Sequence, residues 1–405
     1  MIIEETVTTC TLDSVSTLGC ALAILIAGRW LKGKFKFLKK FLIPSPVVGG
    51  IVFALIMLIC HEYRIVSLTF DQSLKDLTML MFFTGVGYLA SFRLIAKGGK
   101  VVVIFFLCTI FLILLQNLTG VGIAALFNKN LLLGLSAGSI SLVGGHGTSA
   151  AFGPEMEKLG LTGGLSIAIT CATFGLIAGS LIGGPLGKLL ISKYRLEPEI
   201  DKDHSEEKKQ AAADVSKKKV GEMEISSGLG YLIVAMTVGS WCMSYLKTRG
   251  IVLPGYLGPM VIACIIRNVS DLMGRKVPMH AVELCSNTAL RFFLAFALMN
   301  LHLWELKSLA LPIICILLLQ CVMMAMFAYF VTFRVMGSNY DAAVMCSGQC
   351  GFAMGATPNA LANMDTVTKC YGPSPKSFFV ISIVGALLID FVNALLITAF
   401  CRFLV

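Results

Sequence analysis

Long apolar runs separated by short polar stretches dominate this chain. A bilayer core about 30 Å thick needs roughly 20 mostly apolar residues per helical crossing. On that measure the pattern predicts spans near 14–31, 43–60, 77–96, 101–126 and 165–190 in the first half. In the second half it predicts spans near 228–246, 254–273, 283–303, 309–333 and 377–402. Two further apolar stretches, 131–153 and 340–362, are too interrupted by glycine and polar residues to make ordinary crossing helices. Each is expected to be a re-entrant hairpin. The fold class expected is an all-α polytopic membrane protein of ten transmembrane helices in two five-helix repeats. Its parts are an N-terminal membrane repeat at 1–191 with its hairpin, a linker at 192–227, and a C-terminal membrane repeat at 228–405 with its own.

The halves echo each other at a nearly constant offset. Pro44-Ser45-Pro46 and Pro254-Gly255-Tyr256 open equivalent segments 210 positions apart, and Phe82-Phe83 returns as Phe292-Phe293. An odd number of spans per half turns the second repeat over, so the repeat is inverted and the hairpins enter from opposite faces. Paired halves with broken segments at matching places point to a secondary transporter.

Composition agrees about the solvent. With 57% hydrophobic residues, 14% charged and a mean hydropathy of +0.84, the chain lies far from soluble domains. The net charge of +10 does not imply nucleic acid, because the basic residues gather in alternate loops. Those loops hold Arg29 to Lys40, Arg93 to Lys100, Lys188 to Lys219, and Arg267 to Lys276. The positive-inside rule then puts the central loop in the cytoplasm and both termini outside. Trp30 and Trp241 lie near span ends, where amphipathic rings favour the interface. The linker mixes Glu197, Glu199 and Asp201 with Lys208, Lys209 and Lys217, and reads as a solvated tether or a regulatory segment. The acidic start, with Glu4, Glu5 and Asp13, does not read as a cleavable signal. The fourteen cysteines fall mostly inside apolar runs without paired spacing, as small buried thiols do.

Candidate chemistry sits in the glycine-rich pieces. Non-helical backbone at membrane depth persists only when buried in protein or lining a watery cavity. Gly145, Gly147, Gly351 and Gly355 are expected to supply backbone freedom at the hairpin tips, and Pro358 to break the second run. Helix N-termini at such tips can meet an anion, and unwound carbonyls can coordinate sodium. Thr148 and Thr357, equivalent across the halves, and Asn359 would add side-chain hydrogen bonds, with His146 and Ala356 beside them. The alternative is that the glycines only bring helices close together.

Several motifs carry a resemblance. The run Ser139-Ile140-Ser141-Leu142-Val143-Gly144-Gly145-His146-Gly147-Thr148-Ser149-Ala150-Ala151 is one, with Ala172-Thr173-Phe174-Gly175-Leu176 and Gly183-Gly184-Pro185. The stretch from Gly351-Phe352 through Gly355-Ala356-Thr357-Pro358 to Asn363-Met364, and Ile389-Asp390-Phe391-Val392-Asn393, complete it. Together they resemble the bacterial sodium/glutamate symporter family over essentially the whole chain. The resemblance implies a Na+-coupled importer of L-glutamate in the bacterial inner membrane, with inverted repeats, pore-loop hairpins and a homodimer in membrane lipid. Val143, Ser149, Gln349 and Arg291 depart from the residues usual in that family.

Polar residues within spans extend the candidate list. Asp390 lies mid-way along the last span, one turn from Asn393, and an isolated carboxylate there costs at least ~2.5 kcal/mol. It reads as a sodium ligand helped by Asn393, as an ion pair with Arg291, or as a proton carrier. Arg291 reads as a bidentate partner for a substrate carboxylate, or as a side chain snorkelling to the interface. Gln116, Asn117 and Ser141 are further sodium candidates, and Gln320 is able to bond hairpin backbone or ligand. His146 reads as a hydrogen-bonding spacer or a proton relay.

Enzyme readings fail for want of motifs. There is no GxxxxGK[ST] run for an ATP-driven motor and no HExxH spacing for a metal hydrolase. The readings that remain are a sodium-coupled glutamate symporter working by elevator-like alternating access, a sodium- or proton-coupled carrier of another carboxylate such as citrate, and an ion channel.

Overall fold

Helix forms along the apolar runs because lipid offers the backbone no partner outside the segment itself. The computed structural model describes residues 9–41, 43–63, 67–198, 221–249, 254–301 and 309–404. In the first half the helices are α1 (Ser14–Lys34), α2 (Lys36–Lys40), α3 (Ser45–Glu62) and α4 (Ser73–Leu89). They continue with α5 (Phe92–Leu126), α6 (Leu131–Ile140), α7 (Gly145–Lys158) and α8 (Gly164–Tyr194). The second half has α9 (Glu222–Thr248), α10 (Leu257–Leu272), α11 (Met279–Met299) and α12 (Ala310–Val335). It ends with α13 (Tyr340–Ala353), α14 (Thr357–Tyr371) and α15 (Pro375–Leu404).

Among the described residues, seven helices are long and apolar enough to cross a membrane: α1, α5 from Gly99, α8, α9, α11, α12 and α15. The chain is thus a helical, multi-pass membrane protein. The expected spans at 43–60, 77–96 and 254–273 coincide with the shorter helices α3, α4 and α10.

The structure corrects several boundaries. The expected span 77–96 is cut at Ala90 and Ser91, which α10 holds in a non-helical conformation. Asn268 Nδ2 donates to the Ala90 carbonyl, Phe92 N–H donates to Asn268 Oδ1, and Ser91 Oγ donates to Asp271, all at 2.7–2.8 Å. These are contacts across 176–180 residues, so no local signal announces the break. Both glycine-rich pieces run on past their expected ends, to Lys158 and Tyr371, stopping before Gly160 (φ 97°) and at Gly372 (φ 124°). The linker is shorter than expected, since α8 reaches Tyr194 and α9 begins at Glu222; its centre, 199–220, lies outside the described residues. Two four-residue strands also appear where none is expected, β1 (Thr9–Leu12) and β2 (Ser67–Phe70), paired in parallel. Asp71 ties their ends to α1, accepting from Ser14 Oγ and donating its own N–H to Thr17 Oγ1 at 3.3 Å.

The helices sort into two groups. From the early part of each half, α1, α3 and α4 with α9, α10 and α11 pack mainly on one another. The remainder, α5 to α8 with α12 to α15, form the other group. Within the first group the same contact is made in both halves. Gly28 and Gly49 let α1 meet α3 backbone to backbone, and Gly239 and Gly258 do the same for α9 and α10. A Cβ at any of the four would overlap the facing chain. Contacts across the halves are reciprocal too: Gly50 of α3 is filled by Leu298 of α11, and Gly87 of α4 abuts the Met260 carbonyl of α10. The two groups meet at an aromatic seam, where Tyr256 stacks on Phe83 (centroids 4.5 Å apart) and receives the edge of Phe152 from α7 at 5.4 Å.

Candidate functional site

Each glycine-rich piece is two helices joined by a break, and the breaks meet. In the first, α6 passes through a π-turn at Ser136–Ile140 and stops, and α7 starts at Gly145. In the second, α13 stops at Ala353 and α14 starts at Thr357. A Cβ on Gly145 would lie 3.0 Å from the Gly355 carbonyl oxygen. The N-termini of α7 and α14 therefore open at one place, each bringing the positive end of its dipole, although Pro358 has no N–H and those of Asn359 and Ala360 donate to the Ala356 carbonyl.

The glycines there do different jobs from those the sequence suggests. Only Gly145, at φ 59°, needs the left-handed region; Gly147, Gly351 and Gly355 have ordinary φ values. Gly147 and Gly351 lie within helices and allow close approach instead, Gly147 to Phe82 and Leu290, and Gly351 to the backbone of Ala360. The tip needs one unusual backbone conformation, and packing density takes up the rest.

Four side-chain amides from three helices hold the broken backbone. Asn117 of α5 accepts from Ser139 N–H at 2.9 Å, and Asn393 of α15 donates to the Ser139 carbonyl at 3.1 Å. Gln116 donates to the Ala353 carbonyl at 2.8 Å, and Gln320 of α12 donates to the Gln116 carbonyl at 2.7 Å. Gly138 is required because a Cβ there would stand 2.9 Å from Asn117 Oδ1. With their nitrogens committed, the amide oxygens of Gln116, Gln320 and Asn393 are buried without partners, as are the hydroxyls of Ser136 and Ser139 and the amide nitrogen of Asn117, whose oxygen is the committed atom. Buried polar atoms are nearly always satisfied, so a group of orphan oxygens marks a place for an ion or water. Carbonyl and hydroxyl oxygens suit a hard cation.

The other sequence candidates fall around this crossing. Ser141 turns its hydroxyl onto the Ser136 carbonyl, inside the π-turn. His146 is buried and stands 3.0 Å from Thr173 Oγ1, whose own proton goes to the Ile169 carbonyl at 2.9 Å. Its Nε2–H is then the donor, and the ring anchors α7 to α8. Thr148 is buried against Gly144. Thr357 donates to the Gly385 carbonyl at 2.8 Å, in the π-turn of α15, next to the half-buried Ala356. Asn359 Nδ2 donates to the Leu176 carbonyl and Ser180 Oγ at 2.8 and 2.9 Å, leaving Oδ1 buried without a partner.

Of the charged candidates, Asp390 lies one turn before Asn393 on α15, and Arg291 belongs to α11. Asp390 is half-buried just beyond the α15 π-turn, and Arg291 is on an exposed part of α11. Among the described residues neither is joined to the other, nor to any other ion-pair partner. Neither Ser136 nor Ser139 stands out as a site residue from sequence alone. Their signal was the small polar run Ser136-Ala137-Gly138-Ser139 directly ahead of the glycines.

Comparison with known proteins gives one answer across nearly the full length. The family described as sodium/glutamate symporter matches residues 10–373. A sodium/glutamate symporter of Escherichia coli (strain K12) is 42% identical over 392 residues, covering 95% of this chain and 96% of that protein. One from Haemophilus influenzae is 37% identical over 390 residues, covering 96% of each. A sodium proton antiporter structure from Methanocaldococcus jannaschii aligns at 15% identity over 97% of this chain and 98% of its own, but with a TM-score of 0.33 it says nothing further. On the family match and the near-complete coverage of these relatives, the chain belongs to the sodium/glutamate symporter family, which consists of transporters and not enzymes.

Proposed function

We propose that this protein is a sodium-coupled secondary transporter that imports L-glutamate by elevator-like alternating access. The observation that carries the reading is the meeting of the two breaks at Gly145 and Gly355, with two helix N-termini and a set of orphan oxygens at one crossing. The N-termini of α7 and α14 suit substrate carboxylates, with Gly145, His146, Gly147, Thr148, Gly355, Ala356, Thr357 and Asn359 framing them. Arg291 is assigned to the substrate's second carboxylate. Sodium is assigned to the oxygens around Gln116, Asn117, Ser141 and Asn393, extended to Ser136, Ser139 and Gln320, with Asp390 as the counter-charge. Coupling follows if the ion ties α5, α12 and α15 to the breaks, so that the anion site is complete only when sodium is bound.

The same reading assigns ten spans in two inverted repeats, joined by a cytoplasmic linker between Tyr194 and Glu222, with each glycine-rich piece a re-entrant hairpin. The matched glycine crossings of α1 with α3 and α9 with α10, and the reciprocal contacts of α3 with α11 and α4 with α10, support the repeat. The sorting of helices into two groups supports a mobile block carrying the breaks and Asp390 against a scaffold of the early spans. The protein is assigned to the bacterial inner membrane as a homodimer with both termini outside. In α1 and α9, the first of each repeat, only 22% of the residues in the apolar stretch are buried, which leaves a face for lipid or a second copy.

The test is uptake of labelled L-glutamate into proteoliposomes under an inward sodium gradient, with sodium-free and proton-gradient controls and aspartate and citrate as competitors. Sodium-dependent accumulation blocked best by glutamate is expected. Proton dependence, or stronger competition by citrate, would redirect the reading to another carboxylate carrier. Flux that never exceeds equilibrium would indicate a channel.

A further inference from the structure

A cavity of about 240 Å³ lies between the α4 and α11 pair and the π-turn of α15, separate from the amide cluster. Phe82 and Leu89 of α4 form one wall, Glu283 and Asn287 of α11 another, and Ala386 and Leu387 close it. It is smaller than the roughly 300–1,000 Å³ of drug-sized pockets, the scale of a small metabolite. It also touches both tips. Phe82 lies against Gly147 of the first, and Ala386 follows Gly385, whose carbonyl holds Thr357 of the second at 2.8 Å.

Glu283 is the charged residue in this lining. It stands half-buried one turn into α11, and among the described residues no hydrogen bond or ion pair engages its carboxylate. Arg267 and His280 are close enough to interact with it, but Arg267 is committed to Asp271 at 3.2 Å. Asn287 is one turn further along the same face of α11, and Arg291 follows after another. A helix face that presents carboxylate, amide and guanidinium in order suits a ligand carrying both an ammonium and carboxylates. A half-buried carboxylate with no hydrogen bond or ion pair among the described residues, and only the charges of His280 and Arg267 near it, can take a cationic ligand group.

We propose that Glu283 accepts the substrate's α-ammonium in a release vestibule on the cytoplasmic side, with Asn287 bonding beside it. This rests on the function and orientation proposed above. It makes Glu283 a specificity residue, selecting amino acids over dicarboxylates of the same length that lack the ammonium.

The test compares L-glutamate with glutarate, which keeps both carboxylates and loses the amine. Ligand-dependent thermal stabilisation of the full-length purified protein in sodium is measured for wild type, Glu283→Gln and Glu283→Asp, with equal ligand-free melting as the folding control. The expected result is that Glu283→Gln raises the half-stabilising concentration of L-glutamate about tenfold, leaves that of glutarate unchanged, and is partly rescued by Glu283→Asp. Equal weakening of both ligands would make Glu283 a structural residue, and no change in either would remove it from the path. A raised sodium requirement with both ligands would assign it to the ion instead. Each of those three results overturns the proposal. If wild type is not stabilised by L-glutamate at all, the functional reading has failed, and the inference with it.

Discussion

The side-chain amide of Gln116 donates to the Ala353 carbonyl at 2.8 Å, so a long helix of the first half holds the broken backbone of the second. The same residue leaves its own amide oxygen buried without a partner. One side chain thus fixes a break and contributes to the orphan-oxygen cluster, which links backbone geometry to ion binding. Replacing Gln116 by Leu is expected to do two separable things. The Ala353 carbonyl loses its side-chain donor, at about 1–3 kcal/mol, and the thermal midpoint falls. The cluster loses an oxygen, and half-saturation of uptake by sodium moves to a concentration several-fold higher. A sodium titration at equal protein checks the second effect; a lower midpoint with unchanged sodium dependence would take the ion away from this cluster.

Gly145 and Gly147 sit two residues apart and should respond differently to alanine. At Gly145 the left-handed φ of 59° costs an L-residue roughly 1–2 kcal/mol, and the new Cβ would press on the Gly355 carbonyl at 3.0 Å. At Gly147 the backbone is helical, and the nearest atoms, 3.1–3.3 Å away, are the ring of Phe82 and the methyl of Leu290, which can shift. Gly145→Ala is expected to reduce the initial uptake rate by at least about tenfold, consistent with that strain, and Gly147→Ala by much less. Initial rates normalised to reconstituted protein decide the point. Equal loss in both would mean that packing, not tip conformation, limits transport.

Most of the architecture is legible because lipid forces it. A long apolar run such as 101–126 can only be a helix, and the glycine-rich stretches at 131–153 and 340–362 could not be ordinary ones. What sequence misses is set by partners distant in the chain. Nothing near Ala90 foretells that Asn268 will hold it open, and nothing near Ser139 says that Asn117 and Asn393 will divide its N–H and carbonyl between them. Glu283 escaped selection because the expected span began at that residue, which made it look like a boundary charge and not one facing a cavity. Gly147 and Gly351 were assigned turn roles because glycine carries the same letter whether it supplies an unusual φ or merely an absent side chain.

The pairing of the two short strands to α1 carries a pH dependence. Asp71, outside the membrane spans, is held below the usual carboxylate range first by the Ser14 hydroxyl and then by hydrogen bonds from Ser73. A carboxyl whose folded pKa is depressed contributes stability that is present above its unfolded value, near 3.9, and lost as pH falls through the folded one. The thermal midpoint of wild type should therefore decline below about pH 4 more steeply than that of Asp71→Asn, with the two curves converging at the acid end. Parallel curves would mean that solvent screens this half-buried carboxylate into irrelevance.

Asp390 poses the sharper question, because the sequence allowed it to be a mere ion-pair partner of Arg291. Among the described residues no ion pair joins them, and Arg291 is exposed on α11. A mid-helix carboxylate costs at least ~2.5 kcal/mol, so an Asp390 without a resident cation must be compensated during the transport cycle. In a sodium/glutamate symporter, sodium is the available compensating charge. Asp390→Asn is then expected to abolish sodium-driven accumulation, while Arg291→Gln keeps sodium dependence and weakens glutamate recognition. A double-mutant cycle separates this from a structural pair. If the two side chains serve only each other, the double variant recovers activity that both single variants lose. If Asp390 serves the ion, the double variant stays as inactive as Asp390→Asn alone, and sodium no longer raises the melting temperature of either.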